Sequence, residues 1–140
     1  MCGIAGWVDW QADLRHEKRL LEGMSETISC RGPDASGIWL SPHAAVAHRC
    51  LIVIDPEGGA QPMVRTFGPR KYVLVYNGEL YNTDELRQQL AAHGHSFVGY
   101  SDTEVLLLSY VQWGISCLSK LNGIYAFAIW DDFEQRLILA

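Results

Sequence analysis

The sequence contains no apolar run near the roughly 20 residues that a membrane-spanning helix needs. Its first residues, Met1-Cys2-Gly3-Ile4-Ala5-Gly6-Trp7, lack the basic start and long apolar stretch of a secretory signal. Both absences predict a cytoplasmic protein without a membrane partner. A surplus of positive charge is also missing. Eleven lysines and arginines stand against 16 acids, for a net charge of −5. Phosphate attraction needs a basic face, so no nucleic-acid partner is expected. The longest basic cluster, Arg15-His16-Glu17-Lys18-Arg19, is interrupted by Glu17 and reads as the solvated start of a helix. Cys2, Cys30, Cys50 and Cys117 include no C-x-x-C pair, and His16, His43, His48, His93 and His95 have no ligand spacing. Neither a metal site nor a disulfide framework is predicted, and the histidines are assigned surface or packing roles. No repeat, low-complexity tract or linker divides the 140 residues, which is the length of one domain.

What is present reads as strands and helices in segregated blocks. Residues 3–10 alternate loosely and are rich in β-formers, which predicts a first strand. Leu20, Leu21, Met24 and Ile28 recur at helical spacing over residues 15–29, until Arg31-Gly32-Pro33-Asp34 breaks the pattern. Strands are expected over 36–40 and 44–55, the second divided near His48-Arg49-Cys50, with a loop over 56–62. Residues 71–76 read as a buried strand running into a tight turn at Asn77-Gly78. Two helices follow. Asn82 or Thr83 can cap the first, Leu86 and Leu90 share one of its faces, and Gly94 can end it. Ser101-Asp102-Thr103-Glu104 opens the second as a capping box. A short helical piece after Gly114 and strands over 124–130 and 136–140 complete the chain. This order predicts an α+β fold with antiparallel sheet. The apolar stop at Leu137-Ile138-Leu139-Ala140 reads as mid-strand, as in a fragment that folds poorly alone.

Cys2 carries the first chemical signal. Once Met1 is removed, its released α-amine, with a reference pKa of about 7.7–8.0, can take the proton of its own thiol. One residue then supplies both nucleophile and general base, with no histidine needed. Glycines at positions 3 and 6 are expected to let the backbone approach a substrate closely. Attack on an amide also needs donors for the developing oxyanion, and Asn77-Gly78 can provide a side-chain amide and a backbone N–H. Taken locally, Asn77-Gly78 can equally be a plain hairpin turn, and Asp102 a plain helix cap.

These pieces occur together in a recognisable order. Met1-Cys2-Gly3-Ile4, Arg31-Gly32-Pro33-Asp34-Ala35-Ser36-Gly37 and Asp55 through Gln61-Pro62-Met63 resemble the class II (N-terminal nucleophile) glutamine amidotransferases. So do Tyr76-Asn77-Gly78-Glu79-Leu80-Tyr81-Asn82, Ser101-Asp102-Thr103-Glu104-Val105 and Gly123-Ile124-Tyr125-Ala126-Phe127. R-G-P-D and N-G-E-L-Y-N are most similar to glutamine-hydrolysing asparagine synthetases.

The resemblance implies the four-layer αββα sandwich of N-terminal nucleophile hydrolases, here truncated on its C-terminal side. It implies that Cys2 attacks the side-chain amide of glutamine to form a thioester and release ammonia. Asn77 and Gly78 would hold the oxyanion, Glu79 and Asp102 would face the substrate's α-amino group, and backbone near Val53 and Ile54 would line the pocket. The implied partner is a C-terminal synthetase domain that uses ATP and Mg. Homodimerisation would then be a property of the full-length protein.

The chain departs from that pattern in two places. The family usually carries an arginine five residues before the aspartate that corresponds to Asp55, where it clamps the substrate's α-carboxylate. Cys50 stands there, and Arg49 lies one residue earlier. A one-residue shift on a strand turns a side chain to the opposite face, unless a bulge returns it. Both Cys50 and Arg49 therefore remain candidates for the glutamine pocket. The second departure is that no S-G-G-x-D-S pyrophosphate loop occurs, so no ATP-binding element is expected in these 140 residues. Two other readings stay open: the same glutaminase chemistry serving another amide-forming synthetase or cyclase, and a catalytically silent module keeping the fold.

Overall fold

A computed structural model describes residues 2–51 and 59–140 of the chain. Strands β1 (Gly3–Val8), β2 (Ala35–Leu40) and β3 (Ala44–Cys50) form an antiparallel sheet in the order β1-β3-β2. Strands β4 (Met63–Phe67), β5 (Arg70–Leu80), β6 (Gly123–Asp131) and β7 (Arg136–Leu139) form a second antiparallel sheet in the order β4-β5-β6-β7. The helices are α1 (Lys18–Thr27), α2 (Thr83–Ala92) and α3 (Asp102–Trp113). The architecture is α+β with segregated antiparallel sheets, as the element order predicts.

Side-chain alternation along β5 decides how these parts stack. Val73 and Val75 point one way, into a cluster with Ala44 and Val46 of β3 and Ala128 and Trp130 of β6. This is a sheet-on-sheet interface. Tyr72, Leu74 and Tyr76 point the other way, against Leu86 and Leu90 of α2 and the apolar residues of α3. The outer face of the three-stranded sheet, through Ala45 and Ala47, packs on Leu21 of α1 and on Leu14 just before it. Helix α3 is buried from Thr103 to Tyr110, which explains why its apolar residues form no single stripe. Leu86 and Leu90 are fully buried, and truncating either to alanine should cost about 2–5 kcal/mol.

Several local expectations give way to tertiary pairing. Asn77-Gly78 is no hairpin turn. Strand β5 runs through it to Leu80, with Asn77 opposite Ala126 and Gly78 opposite Tyr125. Glycine is required there by crowding, because a Cβ on Gly78 would sit 2.4 Å from the Ile124 carbonyl oxygen. Crowding also explains Gly3 and Gly6, which pack on the protein itself. Their added Cβ atoms would meet Ile28 at 2.9 Å and the Ala45 carbonyl oxygen at 2.3 Å. Strand β4 answers to no predicted element; its turn into β5 is the two-residue Gly68-Pro69, a punctuation signal overlooked in the sequence. The first helix is shorter than its periodicity suggests, with separate 3-10 turns at Leu14–His16 and Ser29–Arg31 on either side. Strand β3 ends at Cys50, and the rest of the strand expected to run to residue 55 lies outside the described residues, apart from Leu51. Asn82 precedes α2 but does not cap it. Its side chain bonds the Lys120 carbonyl and the Asn122 N–H instead, at 2.9 and 3.0 Å. Ser101 does cap α3, accepting from the Glu104 N–H at 3.3 Å.

Candidate active site

The ends of β1, β3 and β5 and the start of α3 meet around a cavity of about 640 Å³. Cys2 and Cys50 line it from the three-stranded sheet. Tyr76, Asn77, Gly78 and Glu79 line it from β5, and Ser101 and Asp102 from α3. Of the residues singled out in the sequence, Cys2, Cys50, Asn77, Gly78, Glu79 and Asp102 thus share one space. Val53 and Ile54 lie outside the described residues.

Arg49 is not among the lining residues. Its guanidinium lies on α1, where Nε donates to Ser25 Oγ at 2.9 Å and to the Ser25 carbonyl at 3.2 Å, and where it forms an ion pair with Glu26. The alternative in which a bulge returns Arg49 to the pocket is corrected. Strand β3 is in regular register with both neighbours up to Arg49 and Cys50, so consecutive side chains take opposite faces. Among the described residues no arginine or lysine lines the cavity, and residues 52–58 contain neither.

The β5–α3 side is heavily hydrogen-bonded through Tyr76. Its hydroxyl donates to Asp102 Oδ2 at 2.8 Å, its N–H donates to Gln61 Oε1 at 2.6 Å, and its carbonyl accepts from His48 Nε2 at 3.0 Å. The last bond assigns the His48 tautomer, since a carbonyl can only accept. His48 is 1% exposed, and burial pushes its imidazole below the ordinary value. Burial and the neighbouring Asp102 carboxylate push the Tyr76 phenol far upward, so it remains a donor. Asp102 Oδ2 also accepts from the Leu80 N–H at 3.1 Å. The residues flanking Asn77-Gly78-Glu79 are therefore both tied to Asp102.

Glu104 reinforces the same corner. It is 1% exposed and accepts from the Val98 and Gly99 N–H groups at 3.1 and 2.9 Å and from Arg65 at 3.2 Å. Tyr76, Gln61 and Glu104 went unidentified as site-building residues in the sequence. Only the position of Tyr76 beside Asn77-Gly78 hinted at its part.

The thiol side is held mainly by backbone. Arg31 of the R-G-P-D segment donates from Nε to the Cys2 carbonyl at 3.1 Å, and the Asp34 N–H bonds the Cys50 carbonyl at 3.0 Å. The segment read as a helix-breaking turn thus also braces both cavity-lining cysteines. The Cys2 thiol lies 3.8 Å from the Leu51 carbonyl oxygen, a long sulfur contact. Burial first, and then the adjacent Cys2 thiol, push the Cys50 thiol up to about 11. Among the described residues no group of three or more histidines, cysteines and acids could hold a metal ion, and no helix is long and apolar enough to cross a membrane.

Comparison with known proteins places this arrangement. The glutamine amidotransferase domain family matches residues 1–140. The chain is 50% identical over 140 residues to asparagine synthetase [glutamine-hydrolyzing] 3 of Bacillus subtilis, covering all of this chain and 23% of that protein. It is 39% identical to asparagine synthetase B [glutamine-hydrolyzing] of Escherichia coli, covering 99% of this chain and 24% of that one. The chain therefore spans about a quarter of the length of these relatives. Among solved structures it is similar to the glutamine phosphoribosylpyrophosphate amidotransferase of B. subtilis, with a TM-score of 0.58 and 31% identity over 72% of this chain and 23% of that one. With its family matched end to end, the chain belongs to the class II glutamine amidotransferase domains and is akin to the glutaminase domains of asparagine synthetases.

Proposed function

We propose that this domain hydrolyses glutamine to glutamate and ammonia through a thioester on Cys2, and that the ammonia serves an ATP-dependent asparagine synthetase domain in the cytoplasm. The observation that carries this reading is the convergence of Cys2, Asn77, Gly78, Glu79 and Asp102 on one cavity from two sheets and a helix. In the proposed cycle the Cys2 α-amine, freed by removal of Met1, takes the thiol proton as sulfur attacks the amide carbon. The Asn77 side chain and the Gly78 N–H hold the oxyanion. The intermediate collapses by breaking the C–N bond, and the α-amine returns its proton to the departing ammonia. Water then cleaves the thioester to glutamate. The carboxylates of Glu79 and Asp102 suit the substrate's ammonium group.

The packing of α1, the two sheets and the α2–α3 pair supports the four-layer αββα sandwich of N-terminal nucleophile hydrolases. The chain has no pyrophosphate loop, so its own residues do not fit ATP, and activation of aspartate with ATP and Mg is assigned to a separate domain. A second reading has specific support. With no arginine or lysine lining the cavity among the described residues, the glutamine α-carboxylate lacks an obvious clamp, which suits a module adapted to another amide donor or acceptor, or one that is silent.

The deciding measurement is ammonia release from glutamine by the full-length protein, with and without aspartate and ATP. Mass spectrometry of the active protein should show Cys2 as the first residue. Cys2→Ala should abolish glutamine hydrolysis and leave ammonia-dependent asparagine formation intact. Glutamine hydrolysis by a chain still carrying Met1, or by the alanine variant, would overturn the proposed chemistry.

A further inference from the structure

The β1–β3 register pairs Gly3 with Arg49 and Ile4 with His48, each pair summing to the same number. Continuing that ladder by one step beyond its last pair would set Cys2 opposite Cys50. Directly opposed residues of an antiparallel pair stand about 4.5 or 5.5 Å apart at Cα, with side chains on one face. That separation falls within the roughly 4.4–6.8 Å a disulfide spans. Both cysteines line the same cavity, and the Cys2 thiol is near enough to Cys50 to help raise it. The other two cysteines are placed differently. Cys117 is buried in the core beneath α3, and Cys30 is exposed in a 3-10 turn away from the cavity.

We propose that Cys2 and Cys50 form a reversible disulfide that caps the nucleophile and switches the site off under oxidation by a peroxide. The Cys2 thiolate attacks one peroxide oxygen; an S–O bond forms, the O–O bond breaks, and hydroxide leaves to become water. The Cys50 sulfur then attacks the Cys2 sulfur. The S–S bond forms, the S–O bond breaks, and the Cys50 proton departs with the leaving hydroxide as a second water. Two thiols are oxidised by two electrons while one peroxide is reduced to two waters. A dithiol reductant reverses the bond by exchange through the mixed disulfide. Cys50 is held protonated at rest, so the first attack falls to Cys2, and the Cys50 proton is available to the departing hydroxide. An arginine at this position would leave Cys2 without a resolving partner, and its oxidation would run on to the sulfinic acid.

Formation of the bond is independent of the glutaminase reading; only its inhibitory consequence rests on it. The test treats the full-length protein with a stoichiometric amount of hydrogen peroxide, alkylates the remaining thiols, and maps peptides without reduction. The expected result is a Cys2–Cys50 cross-linked peptide lighter by two hydrogens, unchanged in a Cys30→Ser variant and lost on adding dithiothreitol. Glutamine hydrolysis should disappear with the bond and return with the reductant. In Cys50→Ser, whatever its starting rate, two or more equivalents of peroxide should instead add two oxygens to Cys2, and dithiothreitol should recover nothing. Free Cys50 after oxidation, pairing of Cys50 with Cys30, or oxidised parent protein that keeps its full rate would each overturn the proposal. A bond that forms in a protein with no glutamine hydrolysis in either state supports the disulfide and overturns the glutaminase function.

Discussion

The two sides of the cavity are built by different means. On the β5–α3 side, Tyr76 spends its N–H, carbonyl and hydroxyl on Gln61, His48 and Asp102, and buried Glu104 gathers two backbone N–H groups and Arg65. On the thiol side, Cys2 and Cys50 sit at strand ends, held by one arginine bond and backbone contacts, with their thiols half-buried. Buried polar networks are costly unless complete, and when complete they rigidify their surroundings. The contrast teaches that the residues flanking Asn77-Gly78 are preorganised by side chains, whereas the nucleophile keeps the freedom to change partners. A thiol that must attack, carry a thioester and release it is served by that looseness.

The comparison can be broken most severely at Glu104. Its removal leaves Arg65 without its carboxylate and two N–H groups without an acceptor, so Glu104→Ala should cost about 3–5 kcal/mol. Denaturant melts would check this, and a loss under about 1 kcal/mol would show that the corner is not the rigid side. Tyr76→Phe comes next. It deletes one bond to a carboxylate and should cost about 1.5–3 kcal/mol, with the larger change in kcat if Asn77 and Gly78 are displaced. An unaltered melt and unaltered kinetics would make Tyr76 a mere spacer.

Cys50→Arg probes the thiol side. Placing a guanidinium in a cavity that no arginine or lysine lines among the described residues should lower the KM for glutamine about tenfold, if the new contact reaches about 1.4 kcal/mol. An unchanged KM would mean that the α-carboxylate is bound elsewhere. The smallest expected effect is one of pH. His48 is buried neutral with its pKa depressed, so the unfolded chain binds more protons than the folded one below about pH 6.5. Stability should therefore be fully present above that pH and should decline as the pH falls toward the folded value. Replacing His48 with Gln, which keeps a donor, should flatten this acid limb in a pH series of thermal melts.

Much of this molecule was legible in residue pattern alone. Cys2 next to the initiator, Ser101 as a cap three residues before Glu104, and Leu86 and Leu90 one helical turn apart are local signals, written in spacings of four residues or fewer. Local spacing follows directly from backbone geometry, which is why it survives without tertiary information. Asn77-Gly78 shows the limit. Its local chemistry favours a turn, yet pairing with β6, about 47 residues away in sequence, extends it as strand. The face taken by Arg49 and Cys50 is another such case. The sequence narrows it to two alternatives, and the regular β3 ladder selects between them by sending Arg49 to α1 and Cys50 to the cavity. The bonds of Tyr76, Gln61 and His48 are written in no local spacing, because they exist only where two sheets and a loop come together. Secondary-structure signals and the family-bearing residues were thus determined by the sequence itself. Which groups share the cavity was decided by long-range pairing and burial, which no short window of residues contains.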